Sequence, residues 1–115
     1  GVANGLAIKG WRPIVIFQRM DFMLIAADQI INHLALMLKM SNGQYNPIVI
    51  IRTCIGSQDL KFDVGEQHKH DFRHMFKPYI NTTDYKPGIY KSSFQAEVPE
   101  PIIIAEEKDK YAQDI

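Results

Sequence analysis

The stretch His68-Lys69-His70-Asp71-Phe72-Arg73-His74 holds three of the chain's four histidines. His70 and His74 are four residues apart, the spacing that puts two imidazoles on one helix face in zinc sites. No third ligand from a separate segment stands at metal spacing. A solvated basic helix face is therefore the plainer reading, and no metal site is expected. Cys54 follows an apolar run, where a nucleophile could stand at a strand end. A single cysteine also serves as a small buried hydrophobe, and it allows no intramolecular disulfide. Phe22 falls at a turn between a strand-like run and a helix-like one. At the C-terminal end of a parallel strand it could face a ligand, or it could staple the helix start into the core. Glu106, Glu107, Lys108, Asp109 and Lys110 read as a solvated mixed-charge terminus.

Three apolar runs rich in β-branched residues would carry these side chains: Pro13–Phe17, Pro47–Ile51 and Pro101–Ala105. None alternates polar with apolar, the pattern of strands covered on both faces in a parallel sheet. Each opens with proline, which a strand tolerates at its first residue. Helical stretches separate them. Val2–Lys9 is short, with Gly10 where a left-handed cap belongs. Asp21 can cap the next helix, which the spacing predicts from about Phe22 to about Met40, ending near Ser41-Asn42-Gly43. Met23, Ala27, Ile30, Ile31, Leu34 and Leu38 share one face. Leu24, Leu36 and Met37 spread apolar surface further, as expected of a helix at a subunit or domain interface. Further helices are expected over His68–Phe76 and Gly88–Ala96, with a polar loop over Ser57–Gly65. Alternating helices and continuous strands predict a three-layer α/β/α sandwich with a mainly parallel sheet and right-handed crossovers.

The whole chain of 115 residues suits one domain. Thirteen basic residues balance thirteen acidic ones. Neither nucleic acid nor a membrane surface is an expected partner, since both call for a basic patch. The apolar runs are too short to span a bilayer. No basic start followed by an apolar stretch marks a signal peptide, and one cysteine fits a reducing, cytoplasmic setting.

Gly1–Gln44 carries GLAxxGxRPIVxF, then FxxxAxDQIxN, then MSxGQ. PIVIIRT follows at Pro47–Thr53, then Gly65-Glu66-Gln67-His68, then EPIIIAEEKDKY at Glu100–Tyr111. In this order the chain resembles the pyrimidine-binding domain of thiamine-diphosphate enzymes in the transketolase-like superfamily. The β subunit of the 2-oxo-acid dehydrogenase first component is the nearest likeness; transketolase and deoxyxylulose-phosphate synthase are more distant. The resemblance implies that Phe22 stacks on the cofactor's aminopyrimidine, which prefers an offset aromatic partner. It implies that His68, the histidine of a Gln-His-Ser motif, handles protons near the reacting carbon, as a group titrating near neutrality can. It implies thiamine diphosphate as cofactor, with Mg bound mainly by a partner diphosphate-binding domain or α-type subunit. It also implies a small 2-oxo acid or ketose substrate and a homo- or hetero-oligomer. Asp28, Gln29 and Asn32 match the helix motif as structural and interface residues.

The departures are as informative. Lys69 replaces the family serine. The glutamate that hydrogen-bonds the pyrimidine ring belongs a few residues before Gly1, and Glu66, Glu97 and Glu106 stand elsewhere in the motif order. A glycine-rich loop with an acidic metal motif is absent. Phe76–Ile80 runs directly into Asn81–Asp84 where the family has a further strand, so either a strand is lost or a segment is omitted at Ile80–Asn81. The chain is expected to be one partial pyrimidine-binding domain over 1–115, inactive alone and part of an oxidoreductase or a transketolase-type transferase. A non-catalytic assembly or regulatory module on the same fold is the alternative. A flavodoxin-like domain ranks last, because Gln18-Arg19-Met20-Asp21 lacks a phosphate-cradling glycine.

Overall fold

The computed structural model describes residues 1–55, 71–96 and 99–107. Among them are four strands: β1 (Ile14–Phe17), β2 (Ile50–Ile55), β3 (Asn81–Asp84) and β4 (Ile102–Glu107). They form one sheet in the order β1-β2-β4-β3, and every pairing is parallel. Four α-helical segments accompany it: α1 (Val2–Ile8), α2 (Met37–Met40), α3 (Arg73–Phe76) and α4 (Ile89–Phe94). The expected parallel α/β fold is the observed one.

The register divides the strand residues between two faces. Val15, Phe17, Ile51, Thr53, Ile55, Ile103 and Ala105 lie on the first. The segment from Met20 to Leu34 and α3 cover it, burying Met20, Met23, Ile30, Leu34 and Phe76. The second face carries Ile50, Ile102 and Ile104, packed by Tyr85, Ile89 and Tyr90 at α4. The connection from β3 to β4 steps back across the sheet. A right-handed crossover that reverses direction must pass over the opposite face, which is why α4 lies there, the one helix to do so among the described residues.

Several elements differ from expectation, each for a local reason. β1 is not covered on both sides: Ile14 and Ile16 are exposed on the second face, because α4 reaches only β2 and β4. β2 begins at Ile50 and not at Pro47, because its partner β1 begins at Ile14; the Ile50 N–H bonds the Pro13 carbonyl at 3.1 Å, leaving Pro47 ahead of the ladder. The predicted long helix is a succession of a 3₁₀ segment at Met20–Leu24, a π segment at Asp28–Leu34 and α2. The Ala26 N–H bonds Met23 three residues back, Ile30 bonds Ala26 four back, and Ala35 bonds Ile30 five back. The Asp28 carboxylate takes Asn32 Nδ2 at 2.9 Å and lies 3.3 Å from His33 Nε2. Winding at i→i+5 brings residue i+5 over residue i, so one carboxylate can meet both. Asp21 is not the cap: Arg19, extended, holds that position and Asp21 lies in the first turn, where a carboxylate suits the positive helix end.

Both helix stops follow the expected residues. Gly10 has φ +96°, and the Trp11 N–H bonds Leu6 while Gly10 bonds Ala7. Asn42, at φ +56°, does the same after α2: Gly43 bonds Leu38 and Asn42 bonds Lys39. These are two Schellman closures. A strand occupies Asn81–Asp84, so none is lost there. The Thr82 hydroxyl donates to the Ile80 carbonyl at 3.0 Å as the chain enters β3.

Candidate functional site

All four strands point the same way, so their C-terminal ends share one edge, where α/β sheets receive ligands. β1 delivers Gln18 and Arg19 to that edge, and the 3₁₀ turn that follows delivers Phe22. Phe22 is 43% exposed, while Met20 and Met23 beside it are fully buried. The turn thus anchors itself through the methionines and leaves part of the Phe22 ring at the surface. His68 lies outside the described residues, as do Lys69, His70, Glu66, Glu97 and Lys108–Lys110. His74 is exposed on α3. Among the described residues, no group of three or more His, Cys, Asp or Glu side chains could hold a metal ion.

A cleft of about 390 Å³ opens at the ends of β1 and β2. Ile16, Arg19, Arg52, Thr53 and Cys54 line it. Its two strands meet there in register, Phe17 beside Thr53. Thr53 is completely buried, and its Oγ1 has no hydrogen-bond partner; the buried Nη1 of Arg19 has none either. Buried polar atoms without partners are uncommon in folded proteins and mark functional or unfilled positions.

Next to the cleft, on the second face, stands a charged cluster. Glu106 is 3% exposed. Both its oxygens lie 3.1 Å from Arg52 Nε, and Oε1 accepts the Tyr90 hydroxyl at 2.6 Å. Arg52 also lies over the Tyr90 ring, 5.6 Å from its centre. Burial first, and then the adjacent Glu106 carboxylate, push the Tyr90 hydroxyl pKa well up; Arg52 opposes them. Glu106 is therefore not part of a solvated terminus. It is the inward charge of β4, held by a cation from β2 and a phenol from α4, as a buried carboxylate requires. The sequence contained a usable signal. Glu106 directly follows four apolar residues of a strand, and in register it falls beside Cys54, two residues beyond Arg52 on the same face. Arg19 and Thr53 carried no such mark, because a hydroxyl's lack of a partner depends on packing that sequence spacing does not encode.

Other motif residues serve the scaffold. Asn4 Nδ2 donates to the Gln29 carbonyl at 3.2 Å, tying α1 to the π segment. Arg12 Nη1 donates to the Phe94 carbonyl at 2.6 Å, closing the end of α4. Arg73 Nε donates to both oxygens of Asp71 at 2.9 Å and pairs with Asp84, joining α3 to β3. Burial alone would raise the Asp71 pKa, but its bonds to Arg73 outweigh that and hold it below the usual carboxylate range.

No protein-family model matches the chain. Curated relatives do. Pyruvate dehydrogenase E1 component subunit beta of Rhizobium meliloti (strain 1021) is 33% identical over 122 residues, covering 98% of this chain and 25% of the relative. The Cyanidium caldarium subunit of the same name is 46% identical over 52 residues, 45% of this chain and 16% of the relative. The mitochondrial subunit beta-1 of Oryza sativa subsp. japonica is 28% identical over 122 residues, 98% of this chain and 31% of the relative. The chain is therefore homologous to the β subunits of the pyruvate dehydrogenase first component, and it spans about a quarter of the Rhizobium subunit.

Proposed function

We propose that this chain is the pyrimidine-binding part of a thiamine-diphosphate-dependent 2-oxo-acid dehydrogenase, working with an α-type subunit or domain that holds the diphosphate and Mg. The observation that carries the reading is the Rhizobium match along 98% of the chain, joined to an aromatic at the ligand edge of a parallel sheet. The relatives are named as pyruvate dehydrogenase subunits, which favours an oxidoreductase on a 2-oxo acid over a transketolase-type transferase.

The residues present fit a flat heteroaromatic ring. Phe22 keeps ring surface accessible at the strand ends, and offset stacking on it is worth about 1 kcal/mol beyond area burial. Bound thiamine diphosphate would supply a carbanion and an electron sink, chemistry no side chain provides. Phe22 would orient the pyrimidine, and His68 would hold or move a proton near the substrate carbonyl. The partner subunit has surface to dock on: Ile25 is 88% exposed, and Leu24, Leu38 and Met40 are exposed along the same helical segment. No helix among the described residues is long and apolar enough to cross a membrane. The single partial pyrimidine-binding domain over 1–115 belongs to this proposal.

The test of function is decarboxylation of pyruvate by the protein assembled with its α-type partner, thiamine diphosphate and Mg²⁺. The proposal expects turnover, and a loss of about 10²-fold or more in kcat for His68→Ala, the usual scale for removing an acid–base group. A correctly assembled complex that binds the cofactor but turns over no 2-oxo acid would favour the non-catalytic module.

A further inference from the structure

We propose that the cleft at the ends of β1 and β2 is an oxyanion site, in which Arg19 and Thr53 together receive a carboxylate or phosphate group. Phe22 does not line it among the described residues, although the Phe22 N–H bonds the Arg19 carbonyl at 3.1 Å and both stand at the same strand-end edge. Two observations converge. Arg19 and Thr53 line one cleft. Each contributes a buried polar atom with no hydrogen-bond partner, Nη1 and Oγ1. A guanidinium N–H taken out of water without an acceptor is strongly disfavoured, and an anion placed against it removes the penalty.

The donors also suit the ligand. A guanidinium presents its N–H groups as a planar fork that matches two oxygens of a carboxylate or phosphate. A threonine hydroxyl adds a donor at the fork's side. None of the described lining residues is acidic, so no fixed carboxylate competes for the fork. Arg52 adds a second cation at the rim; Glu106, on the second face, faces its Nε. The volume, about 390 Å³, falls within the range of small-molecule pockets. It accommodates an anion with a small organic body as readily as inorganic phosphate.

The experiment follows the Arg19 side-chain Nε–H and Thr53 amide resonances of the isotopically labelled full chain. Sodium phosphate and sodium acetate are titrated separately, with chloride holding ionic strength constant. Saturable shifts at both residues with either anion support the site, and the anion that saturates first identifies the ligand class. Arg19→Gln should weaken that binding about tenfold or more, the worth of a charge-assisted hydrogen bond. Thr53→Val, which preserves side-chain shape, should weaken it several-fold and covers the case in which Arg19→Gln fails to fold. Linear shifts with both anions, equal to those from chloride, would overturn the proposal. So would saturation by Arg19→Gln at wild-type concentrations. No cofactor is present in this test, so its outcome is independent of thiamine diphosphate binding.

Discussion

Thr53 buries its hydroxyl completely without a partner, and this residue should be better suited to a ligand than to stability. Valine has the same shape and leaves no polar atom behind. Thr53→Val should raise folding stability by about 1 kcal/mol in anion-free buffer, seen as a higher urea midpoint with an unchanged slope. An unchanged or lower midpoint would mean the hydroxyl is already satisfied. Tyr90 provides a second test, through pH. Its hydroxyl pKa is raised in the fold, by burial and by Glu106, so the folded state holds that proton more tightly than the unfolded chain. The resulting stability is complete below the ordinary tyrosine value of about 10 and is lost as pH rises through the folded value. Tyr90→Phe should lower stability by about 1.5 kcal/mol at neutral pH, the scale of a hydrogen bond to a charged group. Above pH 10 the wild type should approach the variant in alkaline urea titrations. The place of Phe22 at the turn was legible in the sequence because a strand end followed by a helix start locates it; its link to a ligand came only from the family resemblance. Glu106 was misread because a charge at the end of an apolar run resembles a tail until the neighbouring strand supplies its cation.

At the scale of elements, helix stops and strand runs were legible, and helix winding was not. Gly10 and Asn42-Gly43 close their helices with left-handed residues, as their types alone imply. The β-branched runs became parallel strands because continuous apolar sequence suits a ladder packed against helices. The π winding brings Asp28 to both Asn32 and His33, a local departure that an average helical periodicity does not reveal. The junction of α3 with β3 depends on Arg73, paired with Asp71 and Asp84. Arg73→Met should destabilise the protein by about 1 kcal/mol near neutral pH, since the cluster is only partly shielded from water. The Asp71 pKa is lowered in the fold, so this contribution is present above the ordinary carboxylate value of about 4 and fades as pH falls through the lower folded value. Denaturation curves of wild type and variant should therefore converge in acid; a constant difference down to the acid limit would assign Arg73 a packing role alone.

For the whole molecule, the parallel sheet brings Phe22, the Arg19–Thr53 cleft and the Arg52–Glu106–Tyr90 cluster to the strand ends. The second face remains open at Ile14 and Ile16, and the helical segment beyond Phe22 exposes Leu24 and Ile25. A chain spanning a quarter of its Rhizobium relative with apolar surface on two sides is suited to assembly. The fold class was legible because alternating helices and uninterrupted apolar runs allow few architectures; the open face was not, because coverage depends on where α4 falls. Whether Phe22 receives the cofactor's pyrimidine is decided by calorimetric titration of thiamine diphosphate with Mg²⁺ into the assembled protein, wild type against Phe22→Ala. Losing a stacked aromatic and its buried area should weaken binding about tenfold or more, with the variant's assembly and far-UV spectrum unchanged. Equal affinity in the two proteins would mean that the pyrimidine does not stack on Phe22.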